Sequence, residues 1–164
     1  MRLLILGNSG SGKSTLAARL ADSNALARLD LDTIVWEPGK IAVQRPMEAV
    51  VADLQAFMAA QPRWVIEGCY GDLAQHAAPH CTRLLFLNPG VDACLAHNLD
   101  RPWEPHKYAS KTEQDAMLEN LQAWVRGYTE RGDAWSLRAH RAIFDAHAGD
   151  KVELTDPAAI AAYG

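Results

Sequence analysis

The segment from Leu6 to Thr15, Leu-Gly-Asn-Ser-Gly-Ser-Gly-Lys-Ser-Thr, constrains this chain more than any other. Gly7, Gly12, Lys13 and Ser14 fill the pattern G-x-x-x-x-G-K-[ST] of a phosphate-binding P-loop, with Gly10 as a further glycine inside it. Glycines let successive backbone N–H groups turn inward, so Gly7, Asn8, Ser9, Gly10, Ser11 and Gly12 can form a nest for phosphate oxygens. A helix starting there adds free N–H groups and its dipole, which brings Ser14 and Thr15 to the same phosphates. Lys13 would reach the β- and γ-phosphates of a nucleoside triphosphate, and the Ser14 hydroxyl would ligate magnesium. The motif needs a strand before it and a helix after it. Leu3–Leu6 is an apolar run of strand length, and Leu16, Ala17 and Leu20 recur at helical spacing while Arg19 and Asp22 fall off that stripe.

Further along, short apolar runs alternate with helical stripes. Strands are expected at 27–32, 63–67, 83–87 and 151–154. The third is halted by Gly68 and the fourth by Asn88-Pro89-Gly90. Met47, Val50, Val51, Leu54, Phe57 and Met58 form an amphipathic helix entered at Pro46 and closed by Gln61-Pro62. Val91, Cys94, Leu95 and Leu99 form another, ended by Arg101-Pro102 because proline cannot continue it. Trp103 to Lys111 is polar and aperiodic, as a lid would be. Thr112-Glu113-Gln114-Asp115 reads as a variant capping box opening a helix through Met117, Leu121 and Tyr128. Leu137 to His147 is expected as a long helix capped at Gly149, with a short helix after Asp156-Pro157. The pattern predicts an α/β fold: an open parallel sheet of five strands with helices on both faces. Its ligands would lie beyond the carboxyl ends of the strands.

Charge and composition narrow the partners. The net charge is −4 and there is no basic run, which argues against bulk nucleic-acid or membrane binding. Cys69, Cys81 and Cys94 are widely spaced, an odd number with no preceding signal peptide. That predicts reduced thiols and a cytoplasmic protein. His76, His80 and Cys81 do not make a zinc site, since Pro79 disrupts the helix that would align them. His140 and His147 are expected at a helix surface or core edge. No guanine-reading N-K-x-D follows the fourth strand, and no Asp-Glu ends a strand in the manner of motor ATPases.

The N-terminal P-loop, the chain's size and its strand count resemble small P-loop kinases of the adenylate and shikimate kinase type. Leu31-Asp32-Thr33-Ile34-Val35-Trp36-Glu37-Pro38-Gly39 and Trp64-Val65-Ile66-Glu67-Gly68-Cys69-Tyr70-Gly71 resemble, more closely, an adenylate-kinase-related subgroup also labelled topology-modulation proteins. Members of that subgroup tend to show LD-x-x-x-W-x-P-G and WVIDGNYG there. The resemblance spans about the first ninety residues and then weakens. It implies a three-layer P-loop fold with strand order 2-3-1-4-5, over residues 1–164 as a single domain with a lid at about 101–112.

Within that resemblance, Asp32 stands where a kinase acceptor lies, and a carboxylate there can orient a hydroxyl and take its proton. Asp30, on the same strand face, would hold a magnesium-bound water, as in the similar pair of shikimate kinases. A solvated acidic pair ending a strand is the alternative. Glu67-Gly68 resembles the Asp-Gly of the adenylate kinase type, with Glu67 ordering water around the metal and Gly68 admitting substrate to the backbone. Glu67 also reads as the acidic residue of a hydrolytic Walker B strand. Trp36 and Tyr70 would stack on a flat acceptor ring or else cover core edges. Arg101-Pro102 resembles the opening of the shikimate kinase lid. Arg101, and with it Arg126 and Arg131, would stabilise the transferring phosphoryl group. His106 and Lys107 also fall in the lid. The expected function is therefore an ATP- and Mg2+-dependent kinase acting on a small molecule, a nucleoside, nucleotide or small polyol. The alternative is an ATP-binding switch or weak ATPase working through a macromolecular partner.

Overall fold

The computed structural model describes residues 1–40, 43–105 and 108–164. Its centre is a parallel sheet of β1 (Arg2–Gly7), β2 (Ala27–Asp30), β3 (Trp64–Gly68), β4 (Arg83–Leu87) and β5 (Asp150–Leu154), in the order β2-β3-β1-β4-β5. This is the order the resemblance implies. Leu4 of β1 pairs with Ile66 on one side and Leu84 on the other, so the P-loop strand lies at the centre of the sheet.

The strands read as continuous apolar runs because each face is covered. Alternate residues face opposite ways. Leu4, Leu6, Trp64, Ile66, Leu84 and Phe86 join a core against α2 (Asp32–Val35), α3 (Met47–Ala60), α4 (Gly71–Ala77) and α8 (Leu137–Ala146). Leu3, Ile5, Val65, Leu85 and Leu87 join a second core against α1 (Lys13–Asn24) and α9 (Pro157–Ala162). Burying apolar area on both faces at about 25 cal/mol per Å2 is the main stabilising contribution. The remaining helices are α5 (Val91–Leu99), α6 (Lys111–Ala116) and α7 (Leu118–Arg126), of which α5 passes Gly10 and α7 meets Asn8 of the P-loop. Among the described residues, no helix is long and apolar enough to cross a membrane.

Four local expectations are corrected. β2 stops at Asp30, and Asp32 opens the single turn α2, so Asp30 and Asp32 do not share a strand face. The cap of the lid helix is Ser110, not Thr112. Its side chain accepts from the Glu113 N–H at 3.1 Å, while Glu113 accepts from the Ala109 N–H at 2.7 Å, a capping box shifted by two positions. α8 ends at Ala146 with His147 in an extended conformation, and Gly149 does not cap it. Finally, α4 occupies a stretch that periodicity does not mark. It is only two turns long and passes into a 3-10 turn at Ala78–His80, with Pro79 within it.

Candidate active site

The loop between β1 and α1 has the geometry its glycines demand. A Cβ on Gly7 would stand 2.4 Å from the Leu87 carbonyl oxygen, and one on Gly10 only 2.3 Å from that of Cys94. Gly10 also has φ +81°, a left-handed conformation that side chains disfavour. Asn8 is buried and staples the loop: Oδ1 accepts from the Ser9 N–H at 2.9 Å, and Nδ2 donates to the Val125 carbonyl at 3.2 Å. Lys13 folds back over the loop and donates from Nζ to the Asn8 carbonyl at 2.8 Å. Ser11 Oγ is buried with no hydrogen-bond partner among the described residues, while Ser14 and Thr15 are exposed at the first turn of α1. A cradle sealed against Cβ atoms, a buried orphan hydroxyl and a lysine held over the loop fit a triphosphate. The Ser14 hydroxyl beside the Glu67 carboxylate is a hard oxygen donor set that fits Mg2+.

The β2 and β3 ends form the facing wall. Asp30 Oδ1 accepts the Asp32 N–H at 2.9 Å, and the Asp30 carbonyl accepts from Thr33 Oγ1 at 2.6 Å. The first carboxylate thereby shapes the turn that presents the second. The Tyr70 hydroxyl donates to Asp32 Oδ1. Burial, and then the Asp32 charge, drive the Tyr70 pKa upward, so the phenol stays protonated and remains a donor. Its ring is edge-on to Trp36 at 6.5 Å and to Trp135 at 6.1 Å. Of the two readings for these aromatics, Tyr70 therefore belongs to the framework holding Asp32, with half-buried Trp36 packed against it. Gly68 lies close against Leu31, for a Cβ on it would stand 2.8 Å from Leu31 Cδ1, and it also borders the cleft.

The Glu67 carboxylate is strongly perturbed. It is 1% exposed, and Oε1 has no hydrogen-bond partner among the described residues, with Arg28 Nη2 at 3.6 Å. Loss of solvation and then the Asp30 charge raise its pKa to about 7, against the pull of Lys13 and Ser14. A buried carboxylate with an orphan oxygen and acidic neighbours is a group whose ionised form a cation would stabilise.

The far side of the cleft is the chain after β4. Arg101 donates from Nη2 to Glu104 Oε1 at 2.9 Å. The described part of the lid is tied to α6 by Gln114, which accepts from the Glu104 N–H at 2.8 Å and donates to the Pro102 carbonyl at 3.1 Å. His106 and Lys107 lie outside the described residues. Arg131 does not face the phosphate site. Its guanidinium stacks on Trp124 at 3.7 Å and donates to the carbonyls of Trp124 and Trp135 at 2.7 and 3.0 Å. Arg126 is exposed on α7, away from the cleft lining.

Lys13, Ser14, Asp32, Glu67, Gly68 and Arg101 border one cleft of about 250 Å3. Sequence reasoning missed others on its rim, namely His97, Asn98, Asp100 and Glu104. His97 donates from Nδ1 to the Gly10 carbonyl at 2.9 Å. The available signal was topological: α5 follows the strand beside β1 and so must pass the P-loop. It also missed His140, which is fully buried on α8 instead of lying at a surface or core edge. There Phe86 and Tyr128 surround its ring, and Tyr128 and the Cys69 carbonyl satisfy its nitrogens.

No protein-family model and no curated protein sequence matches the chain. Among solved structures it is similar to an unliganded sugar kinase from a Janibacter species, at 15% identity and TM-score 0.52, covering 97% of this chain and 88% of that one. It is likewise similar to the shikimate kinase of Aquifex aeolicus, at 16% identity and TM-score 0.54, covering 98% of this chain and 90% of that one. Sheet order, P-loop placement and these likenesses agree: the chain has the three-layer fold of the small P-loop kinases.

Proposed function

We propose that this chain is an ATP- and magnesium-dependent phosphotransferase that moves the γ-phosphoryl group to a hydroxyl of a nucleoside, nucleotide or small polyol. The observation that carries the reading is the one cleft that Lys13 of the P-loop, Asp32, Glu67 and Arg101 all border, with β3 between the strands that lead to Lys13 and Asp32. The backbone amides of Gly7 to Thr15 hold the triphosphate, and Lys13 exchanges the Asn8 carbonyl for phosphate oxygens. Ser14 would hold the metal, with Asp30 and Glu67 ordering its water. Bound Mg2+ supplies charge neutralisation across the phosphates.

Asp32 orients the acceptor hydroxyl and receives its proton. The Tyr70 hydrogen bond to one carboxylate oxygen secures its direction. Such positioning suits a loose transition state, in which orientation contributes more than proton abstraction. Arg101 leaves Glu104 to stabilise the phosphoryl oxygens as the lid, residues 101 to 112, closes. Residues 1–164 act as a single unit, and the adenylate-kinase-related subgroup and a cytoplasmic setting accord with this reading.

A coupled ADP-release assay across nucleosides, nucleotides and sugar-like alcohols tests it. One acceptor should raise turnover well above background, and Asp32→Ala should reduce that turnover at least ~100-fold with ATP affinity retained. Tight ATP binding with no acceptor-dependent turnover would instead favour the switch or ATPase reading.

A further inference from the structure

Behind the acceptor wall lies a histidine that the phosphotransfer scheme does not use. His140 on α8 is 0% exposed. Its Nε2 is 2.8 Å from the Cys69 carbonyl oxygen, and its Nδ1 is 2.8 Å from the Tyr128 hydroxyl. Elementary chemistry assigns the protons. A carbonyl only accepts, so Nε2 carries the hydrogen, and in the neutral ring Nδ1 accepts from the Tyr128 O–H. Burial lowers the pKa of His140 to about 4, so the ring is neutral at physiological pH, and buried Tyr128 keeps its proton. Phe86 meets the ring edge-on at 6.2 Å and 82°. Tautomer and orientation are therefore both determined.

An apolar side chain of similar size would fill this space without the cost of desolvating two nitrogens. What an apolar residue lacks is a donor aimed at one carbonyl. That carbonyl belongs to Cys69, immediately past the last residue of β3 and next to Tyr70. The same turn is held a second time from this side, where the Gly71 N–H donates to the Ala134 carbonyl at 2.9 Å. Tyr70 in turn holds Asp32. The path from His140 to the acceptor carboxylate thus runs through Cys69, Tyr70 and Asp32 by contiguous bonds.

We propose that His140 is a positioning residue whose Nε2–H bond to the Cys69 carbonyl sets the β3–α4 turn, so that Tyr70 holds Asp32 in the orientation phosphoryl transfer requires. The inference rests on the phosphotransfer reading. It predicts a difference between two amides that reach different ring-nitrogen positions. In His140→Gln the side-chain amide reaches the Nε2 position and still donates to Cys69. In His140→Asn it reaches only the Nδ1 position, and the Cys69 bond is lost.

With the best acceptor from the screen, His140→Asn should lower kcat ~10- to 100-fold with the KM for ATP unchanged, and His140→Gln should stay within ~5-fold of wild type. The loss in His140→Asn should be non-additive with that of Tyr70→Phe, because both act through one bond to Asp32. Wild-type kcat in His140→Asn, or equal losses in both amide variants, overturns the proposal. If either amide variant fails to fold, Tyr128→Phe removes a single oxygen atom and with it the donor to Nδ1, so that the Cys69 carbonyl alone holds the ring. Its kcat should fall at least ~3-fold at unchanged KM for ATP, and unchanged kcat counts against the proposal. The 13Cζ resonance of labelled Tyr70, assigned by its absence in Tyr70→Phe, reports the hydrogen bond to Asp32 without any turnover. A shift of that resonance in His140→Asn and not in His140→Gln supports the proposed linkage. No difference overturns it. A wild-type chain that phosphorylates no acceptor overturns the phosphotransfer reading separately, whatever the resonance does.

Discussion

At Glu67 the local structure imposes a cost that a cation or a proton relieves. Its pKa stands at about 7 in the folded chain against 4.5 for the free group. Between those values the folded state holds the proton and the unfolded state does not, so stability falls as pH rises through this window and is constant above it. The shift corresponds to about 3 kcal/mol. Glu67→Gln is therefore expected to stabilise the nucleotide-free protein at pH 8 by about 2–3 kcal/mol, and by little at pH 4.5, read from urea unfolding at each pH. His140 acts with the opposite sign. Its folded pKa of about 4 lies below the ordinary 6.5, so its contribution makes stability rise with pH between those values. In the wild type the two slopes oppose one another between about pH 4.5 and 6.5. In Glu67→Gln the rise due to His140 should become visible.

At the scale of elements, the site depends on how closely helices pass the loop. α5 crosses beneath Gly10 with the Cys94 carbonyl 2.3 Å from where a Cβ would be. Gly10→Ala must displace α5 or the loop. It should weaken ATP binding at least ~10-fold by titration calorimetry while the far-ultraviolet circular dichroism is retained. The lid depends on Gln114, whose amide satisfies one N–H and one carbonyl on either side of Trp103. Gln114→Leu leaves both without that partner and should cost about 2 kcal/mol. Amide exchange at Glu104 should accelerate in that variant, since the bond holding its N–H is gone. Sequence pattern located α1, α3, α5 and the five strands because each carries an apolar stripe or run long enough to show its period. It misplaced the start of α6 because Ser110-x-x-Glu113 and Thr112-x-x-Asp115 are both plausible boxes two residues apart. Only the lid's path, which presents the Ala109 N–H to Glu113, decides between them.

For the molecule as a whole, ligand binding should couple to stability. At a nucleotide concentration about 100 times Kd, binding to the folded state alone adds about 2.7 kcal/mol, or about 5–10 °C in Tm for a chain of this length. ATP with Mg2+ is expected to raise Tm by that amount. Chelating the metal should remove much of the rise, and Lys13→Ala nearly all of it, as read by differential scanning fluorimetry.

The P-loop and the alternation of buried strands with helices were legible in the linear chain, because both rest on local requirements: glycine conformations, apolar period, and a helix starting at the loop. Asp32 and Arg101 were legible as candidates, since both flank elements that end at the ligand side of the sheet. Which groups support them was not legible. Tyr70 reaches Asp32 across 38 positions, and His140 reaches Cys69 across 71. Arg131, a candidate by its place after the lid, is bound by Trp124 and two carbonyls. Hydrogen-bond partners distant in sequence are brought together by sheet order and helix packing. Those arise from burying both faces of the sheet at once, which no single segment encodes.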